Sequence, residues 1–377
     1  MKKIIIFSTD VFTDLTEDDK VTFNKILNDI TSRGDKVIFT ARSNDKKKKL
    51  NGINIDNKTV YFYDRFSLKR IIKNNSGREN YFIVVGNKEA DLFMAASSKL
   101  FYIVPKWCKV IQGKVNHYGV KIKSLDRLKK LIDIIKNQNS WFYRLDLDEK
   151  TTVLSLTSAN TMGPGHSQEE LDMIEGFKKY LKEGNKKYAN VLLCHFLAGI
   201  SNNPEFREIK DWSIMPSSGK ALNQDMILFK EKARELMNGK KKDNIFIRHT
   251  ATWKGHESRK NGGNRFPCDR HFDTIILNNK YKNKLKNRTV CVFDDYLTYG
   301  TTFETARNLL QKEGVKKIFF VSLGRFGKKY IKQDYMLDGD IFEKGYKYDL
   351  KVKEEKDGRF DENAITEIKN LYNIIFE

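Results

Sequence analysis

The chain has 377 residues, of which 40% are hydrophobic and 32% are charged, and its formal net charge is +21. This length exceeds what one ordinary hydrophobic core holds, so two or three domains are expected, and the composition excludes an intrinsically disordered chain. No apolar run approaches the ~20 residues that a membrane-spanning helix needs.

The apolar start of the chain is too short for a signal peptide and soon becomes acidic. The four cysteines stand far apart, and their spacing is not that of a zinc site or a disulfide framework. They are Cys108, Cys194, Cys268 and Cys291. We therefore expect a cytoplasmic protein without a membrane partner.

The excess of lysine and arginine has two interpretations. One is a polyanionic partner, either nucleic acid or a phosphate-rich small molecule. The other is a general abundance of lysine, because the runs Lys46–Lys49 and Lys240–Lys242 lie in polar turn contexts that are typical of solvated loops. A nucleic-acid partner stays open but is not favoured, because no recognised nucleic-acid motif accompanies these lysines.

Residues 1–140 alternate apolar runs with helical patterns, which predicts a doubly wound domain with a parallel sheet covered on both faces. Helices are expected near Lys20–Ser32, Glu89–Ser98 and Leu125–Asn137. The predicted strands are Ile4–Phe7, Val37–Thr40, Val60–Tyr63, Tyr81–Val85 and Phe101–Val104.

Polar residues lie at the end of three of these strands or just after it. Ser8 and Asp10 follow the first, Thr40 ends the second, and Asn87 and Asp91 follow the fourth. The pattern resembles the haloacid dehalogenase-like phosphatases over about residues 1–122, in which the first strand ends in a nucleophilic aspartate followed two residues later by an acid/base aspartate. In one register Ser8 stands at the nucleophile position and Asp10 at the acid/base position. In the shifted register Asp10 is the nucleophile and Phe12 stands where the second acid belongs, so one carboxylate is missing in both. Asn87 replaces the first acid of the metal loop. The resemblance therefore implies a degenerate phosphatase-like domain that is inactive as a phosphatase.

Residues 141–204 are rich in helix signals, such as the capping-box pattern Ser167–Glu170, and predict a helical connector. A second α/β pattern over residues 205–377 predicts a second doubly wound parallel-sheet domain, closed by a helix over Asp361–Phe376. Its predicted strands are Trp212–Met215, Ile245–Arg248, Thr274–Leu277, Thr289–Phe293 and Lys317–Ser322.

The most informative segment follows the strand Thr289–Phe293. Two carboxylates come first, then a Thr/Gly loop, then a helical pattern in which Thr301 and Glu304 are spaced as in a capping box. Backbone N–H groups at a helix start bind anions, and adjacent carboxylates accept hydrogen bonds from vicinal hydroxyls. A ribose 5-phosphate fits both features. The candidate residues are Asp294, Asp295, Thr298, Tyr299, Gly300, Thr301 and Thr302.

This segment resembles the phosphoribosyl pyrophosphate (PRPP) signature of the type I phosphoribosyltransferases. The one departure is Tyr299, where the family usually has a small residue. The resemblance implies that the upstream loop grips pyrophosphate and that a flexible loop closes over PRPP, although a plain turn and a solvated basic loop stay open as alternatives. The upstream loop residues are Ser217, Ser218, Gly219 and Lys220, and the flexible-loop residues are Lys254, His256, Arg265 and His271.

The sequence therefore predicts a PRPP-dependent transferase that acts on an unknown acceptor, with Asp294, Asp295, Lys220 and Arg248 as catalytic candidates. Mg²⁺ would be bound mainly through PRPP, and no protein metal ligand is predicted with certainty. The alternative is a catalytically silent protein that binds PRPP or a nucleotide, or a nucleic-acid-linked component. By resemblance, such a protein belongs to a bacterial stress-response or anti-phage system, for example a retron-associated one. A homo-oligomer or a subunit of a defence complex is compatible with both.

Overall fold

The computed structural model describes residues 2–53, 59–138, 140–160, 171–172, 175–176, 186–219, 221–252 and 267–376. In these ranges the chain is α/β, with one parallel and one mixed sheet of six strands each. The predicted α/β class is confirmed. Within the described ranges, no helix has the length and apolar character required to cross a bilayer.

The first sheet has the strand order β3-β2-β1-β4-β5-β6, and all of its neighbouring strands are parallel. Its strands are β1 (Ile4–Ser8), β2 (Lys36–Ala41), β3 (Val60–Asp64), β4 (Phe82–Val85), β5 (Phe101–Pro105) and β6 (Val120–Ile122). The strand order reverses between β1 and β4. In open α/β sheets a crevice for ligands lies at the carboxyl ends of the strands beside such a reversal.

Helices cover this sheet. They are α1 (Asp10–Thr13), α2 (Glu17–Ser32), α3 (Arg65–Asn74), α4 (Glu89–Ser97), α5 (Val115–Tyr118) and α6 (Leu125–Asn137). The start of α6 has a local cause, because the Ser124 hydroxyl accepts a hydrogen bond from the backbone N–H of Arg127. Its buried residues recur at helical spacing and belong to the hydrophobic core: Leu125, Leu128, Leu131, Ile132 and Ile135.

The second sheet has the order β16-β7-β8-β13-β12-β9 and is mixed. Strands β8, β13, β12 and β9 are parallel, whereas β7 and β16 are antiparallel to their neighbours. Two antiparallel strand pairs, β10–β11 and β14–β15, lie outside it. The strands are β7 (Tyr143–Asp148), β8 (Thr151–Ser158), β9 (Ile209–Ile214), β10 (Phe246–Arg248), β11 (Ile275–Leu277), β12 (Thr289–Leu297), β13 (Lys317–Arg325), β14 (Lys329–Asp338), β15 (Lys347–Asp357) and β16 (Arg359–Phe360).

This sheet corrects two expectations. A helical connector is expected over residues 141–204, but residues 143–158 form β7 and β8. The second sheet is also not wholly parallel, because the short β7–β8 connection joins antiparallel neighbours. The capping-box pattern at Ser167–Glu170 lies outside the described residues.

The helices of the second half pack around an aromatic core. They are α7 (Lys186–Asn202), α8 (Gln224–Leu236), α9 (Asp269–Phe272), α10 (Thr301–Lys312) and α11 (Asn363–Phe376). Phe196 of α7 and Phe229 of α8 each meet the Phe293 ring edge-on, with a centroid distance of 5.3 Å, and Trp212 stacks on Phe293. These contacts hold β9 and β12 side by side and so fix the relative position of their carboxyl ends.

The two halves meet through buried polar contacts. The Lys3 ammonium at the start of β1 donates to Asn202 Oδ1 (2.6 Å) at the end of α7. The Asn202 amide in turn donates to the carbonyl oxygens of Ile135 and Gln138. Helices α4 and α5 pack against α8. The two sheets are therefore joined by packed helices.

Candidate functional site

Two adjacent carboxylates lie at the carboxyl edge of the second sheet, on β12. The strand does not end before Asp294, because its pairing with β13 continues to Leu297 opposite Arg325. The side chains of Asp294 and Asp295 are half-buried, and each accepts a hydrogen bond from the next backbone N–H, at 2.9 and 2.7 Å respectively. They are therefore less exposed than a pair at a free strand end.

Both carboxyl groups are held above the usual pKa range of aspartate. Burial raises the pKa of Asp294 first, and the neighbouring charge of Asp295 raises it further. Burial also raises the pKa of Asp295. The buried cation Arg248 acts in the opposite direction on Asp294. Donors or a cation from a ligand would relieve this repulsion.

The loop Thr298–Gly300 follows β12 and leads into α10. Gly300 precedes the helix with φ +86°, in the left-handed region. A Cβ atom there would overlap the ring of Tyr330, so the position requires glycine for two reasons. Thr301 and Thr302 begin the helix, where the first N–H groups have no intrahelical carbonyl.

The capping box expected from Thr301 and Glu304 is wrong. Glu304 is fully buried and faces the other way, where it accepts hydrogen bonds from Arg307 (2.6 Å), Tyr330 (2.7 Å) and the backbone N–H of Gln333 (2.7 Å). Glu304 therefore ties the first turn of α10 to β14.

The loop Met215–Gly219 follows the neighbouring strand β9. The backbone N–H of Met215 donates to the Phe293 carbonyl (2.8 Å), which places this loop beside the carboxylates. The Ser218 carbonyl accepts from the backbone N–H of Thr252 (2.8 Å). The structure thus brings Ser217, Ser218 and Gly219 to the same edge as Asp294, whereas Lys220 lies outside the described residues.

Arg248, at the end of β10, is buried beneath the Met215–Gly219 loop. Its guanidinium donates to the Ser217 carbonyl (2.6 Å) and to Thr274 Oγ1, and Nη2 lies 3.2 Å from His271 Nδ1. Burial lowers the pKa of Arg248 to about 10, and the nearby Arg270 adds to this effect, whereas Asp294 opposes it. The guanidinium therefore remains charged at neutral pH.

His271 is not on an exposed loop, contrary to the sequence-based expectation. It lies in the short helix α9 and is buried, because Cys268 and Phe272 on either side pack into the core. Burial and the charge of Arg248 hold its pKa well below the usual histidine range, so it is neutral at pH 7. The other flexible-loop candidates, Lys254, His256 and Arg265, lie outside the described residues.

A second group of polar residues lies at the carboxyl edge of the first sheet. Ser8 and Thr40 are register partners on β1 and β2, and Asn87 follows β4. Each side chain is 1% exposed, and Ser8 Oγ, Thr40 Oγ1 and Asn87 Oδ1 have no hydrogen-bond partner among the described residues. They flank the reversal of strand order between β1 and β4.

The two acids of this group are paired with cations. The Lys88 ammonium lies 2.6 Å from Asp10 Oδ2, and Arg65 Nη2 lies 2.6 Å from Asp91 Oδ1. Lys88 and Asn87 together lower the pKa of Asp10 despite its partial burial. Sequence reasoning did not identify these roles of Lys88 and Arg65, because the pairing with Asp91 spans 26 positions of the chain.

In the part of the chain that the structure describes, no group of three or more histidine, cysteine, aspartate or glutamate side chains is placed to hold a metal ion. No family model, curated protein or solved structure matches the chain. The local geometry of the two edges therefore carries the functional argument.

Proposed function

We propose that the chain is a PRPP-dependent phosphoribosyltransferase that transfers the phosphoribosyl group to a small nucleophile and displaces pyrophosphate. The observation that carries the proposal is the arrangement on adjacent strands. Asp294 and Asp295 on β12 lie beside the Met215–Gly219 loop and before the Thr298–Gly300 loop. Two loops that suit anions, with a hydroxyl-binding pair between them, match a ribose with anionic groups at both ends.

The Thr298–Gly300 loop and the first turn of α10 would hold the 5-phosphate. Backbone N–H groups at a helix start carry the positive end of the helix dipole. The hydroxyls of Thr298, Thr301 and Thr302 add donors of the type that phosphate oxygens accept. The carboxylates of Asp294 and Asp295 would accept hydrogen bonds from the two ribose hydroxyls.

The Met215–Gly219 loop would hold the pyrophosphate. Arg248 beneath it contributes a fixed positive charge at short range, which stabilises the negative charge that develops on the leaving group. Mg²⁺ bound mainly through the diphosphate would offset that charge further. The adjacent carboxylates of Asp294 and Asp295, which lie beside this loop, would offer oxygen ligands of the kind that Mg²⁺ takes.

In this proposal the first half is a phosphatase-like domain without phosphatase activity, and the second half is phosphoribosyltransferase-like. A cytoplasmic location belongs to the same proposal. It is supported by the four cysteines, which are all buried and free.

The second candidate function is PRPP or nucleotide sensing without turnover, as in a stress-response or anti-phage component. The first half supports it, because a domain whose acids are paired with Lys88 and Arg65 is suited to binding or structure more than to metal-assisted catalysis. Pyrophosphate release separates the two candidates.

The test is a calorimetric titration with PRPP, with and without Mg²⁺, followed by a screen for pyrophosphate release over a panel of nucleobases and amines. Binding with release for at least one acceptor supports the transferase, and binding without release for any acceptor supports the sensor. The double variant Asp294→Asn/Asp295→Asn should lose affinity. Asp18→Asn/Asp19→Asn is the matched control, because it removes two adjacent exposed charges from α2 in the other half. Absence of PRPP binding by the wild type would refute the transferase and the PRPP sensor.

A further inference from the structure

Arg325 is a buried arginine beneath the Thr298–Gly300 loop. It ends β13, its side chain is 1% exposed, and its guanidinium carbon lies 4.5 Å from the centroid of the Tyr143 ring. In the described ranges, no carboxylate acts on it, and burial lowers its pKa. Burying a charge without a counter-charge is costly. A negatively charged ligand near the Arg325 guanidinium would offset that cost.

Two other buried arginines of the described chain differ in this respect. Arg307 is 1% exposed and is paired with Glu304 and Asp334, each at 2.6 Å. Arg234 is 2% exposed and is paired with Glu231 and Glu235. Arg248 is also buried and, like Arg325, forms no ion pair among the described residues. In the described chain, the buried arginines without a paired carboxylate are therefore the two that lie beneath the two loops.

The hydrogen bonds of Arg325 go to backbone carbonyls around the loop. Nη1 donates to the Thr298 carbonyl, and Nη2 donates to the carbonyls of Lys328 and Lys329, each at 2.9 Å. Its Nε has no partner among the described residues. The bond to Thr298 ties the loop to the end of β13.

We propose that Arg325 is a positioning residue of the anion site: it fixes the shape of the Thr298–Gly300 loop through the Thr298 carbonyl, and the phosphate of a bound ribose phosphate balances its buried charge. This inference rests on the proposed function. Arg325 touches no substrate atom directly and acts through the loop. The Met215–Gly219 loop, which has Arg248 beneath it, should not depend on Arg325.

The test uses the full chain and two probes, ribose 5-phosphate for the Thr298–Gly300 loop and pyrophosphate for the Met215–Gly219 loop. Arg325→Gln should lower the affinity for ribose 5-phosphate about tenfold, because the phosphate loses a nearby buried positive charge and the loop loses the bond that holds the Thr298 carbonyl. The affinity for pyrophosphate should be unchanged. Arg325→Lys keeps the charge but not the fork of donors, and it should lose about threefold in affinity for ribose 5-phosphate.

Arg207→Gln is the matched control. Arg207 is mostly buried and also donates to two backbone carbonyls, those of Ser98 and Ser201, but it precedes β9 at the opposite edge of the sheet. It differs from Arg325 in having a carboxylate nearby, since its Nε lies 3.8 Å from Glu79 Oε2. The Arg207→Gln variant should lower the melting temperature and leave both affinities unchanged. If Arg325→Gln does not fold, Arg325→Lys carries the same comparison of two probes.

Equal loss of both affinities in the Arg325 variants would indicate a merely structural role and overturn the inference. An unchanged affinity for ribose 5-phosphate would also overturn it, while the proposed function stood. A wild-type protein that bound neither PRPP nor ribose 5-phosphate would overturn the proposed function as well.

Discussion

At the scale of single residues, the acids at the two sheet edges have opposite surroundings. Asp10 and Asp91 of the first half are paired with Lys88 and Arg65, whereas Asp294 and Asp295 of the second half have raised pKa values. Adjacent acids after an apolar strand are visible in a sequence. Their partners are not, because ion pairs between distant loops depend on the sheet order.

The paired aspartates of β12 should destabilise the free protein at neutral pH. Below the ordinary pKa of aspartate both groups are protonated in the folded and unfolded chain, so neither affects stability. As the pH rises through their raised pKa values, the folded state is penalised, because its carboxyl groups resist ionisation. Asp295→Asn should therefore raise the free energy of unfolding at pH 7, and the gain should vanish near pH 3, below the ordinary pKa of aspartate.

Chemical denaturation at the two pH values measures this difference, and calorimetry should show weaker PRPP binding by the same variant. A variant less stable than the wild type at pH 7 would contradict the pKa argument. The control Asp19→Asn, in the exposed first turn of α2, should show no such pH-dependent gain.

The first half should hydrolyse no common phosphate ester. Ser8 has no hydrogen-bonded base among the described residues. The Asp10 carboxylate forms an ion pair with the Lys88 ammonium. We expect no Mg²⁺-dependent turnover of p-nitrophenyl phosphate, and no change in melting temperature on adding a chelator. Mg²⁺-dependent turnover that disappears in Asp10→Ala would refute this expectation.

At the scale of secondary-structure elements, the sequence predicts best where strands are continuous and apolar. The five predicted strands of the first sheet are confirmed to within one or two residues, and so is the helix Leu125–Asn137. The pair β14–β15 was missed because polar and charged residues interrupt its apolar ones and most of β15 is exposed. β7 was missed because helix signals farther along outweighed its two-residue alternation.

Gly300 tests the geometry of the loop between β12 and α10. Gly300→Ala should destabilise the fold by more than about 1–2 kcal/mol, because alanine is strained at φ +86° and its Cβ would also overlap Tyr330. Gly327→Ala is the matched control, since it has φ +67° and open space around the added Cβ. It should show only the backbone cost.

Thermal unfolding compares the two glycine variants, and titration with ribose 5-phosphate reports on the site. Only Gly300→Ala should weaken ligand binding. Equal destabilisation of both variants would mean that the overlap with Tyr330 adds nothing to the loss of stability.

At the scale of the whole molecule, the basic residues behind the net charge of +21 differ in their surroundings. Lys46–Lys49 form an exposed turn of 3₁₀-helix after β2, as the interpretation of a solvated loop predicts. Lys241 is different, because its ammonium lies 4.5 Å from the centre of the Tyr281 ring and 3.6 Å from Asp211. Part of the basic charge is therefore structural, which a count of lysines cannot reveal.

The two explanations of the remaining charge make different predictions for nucleic acid. One explanation is that only the few cations at the edge of the second sheet, such as Arg248 and Arg325, contribute to function. Binding to nucleic acid should then be weak and steeply salt-dependent, because counterion release from scattered lysines gives affinity without specificity. Neutralising Lys46–Lys49 to glutamine should then leave PRPP affinity unchanged. Filter binding over single-stranded DNA, duplex DNA and structured RNA at rising salt measures the first effect, and calorimetry measures the second.

Lys240→Gln/Lys242→Gln is the companion variant, because it removes two exposed charges and spares the Lys241 contacts. If nucleic acid were the true partner, binding would persist near about 150 mM salt, and both sets of substitutions would weaken it uniformly across sequences. Salt-tolerant nanomolar binding to any of the three probes would overturn the metabolite interpretation. We expect instead that binding fades at that salt concentration while PRPP affinity remains, since the buried guanidiniums beneath the two loops are screened far less than exposed lysines.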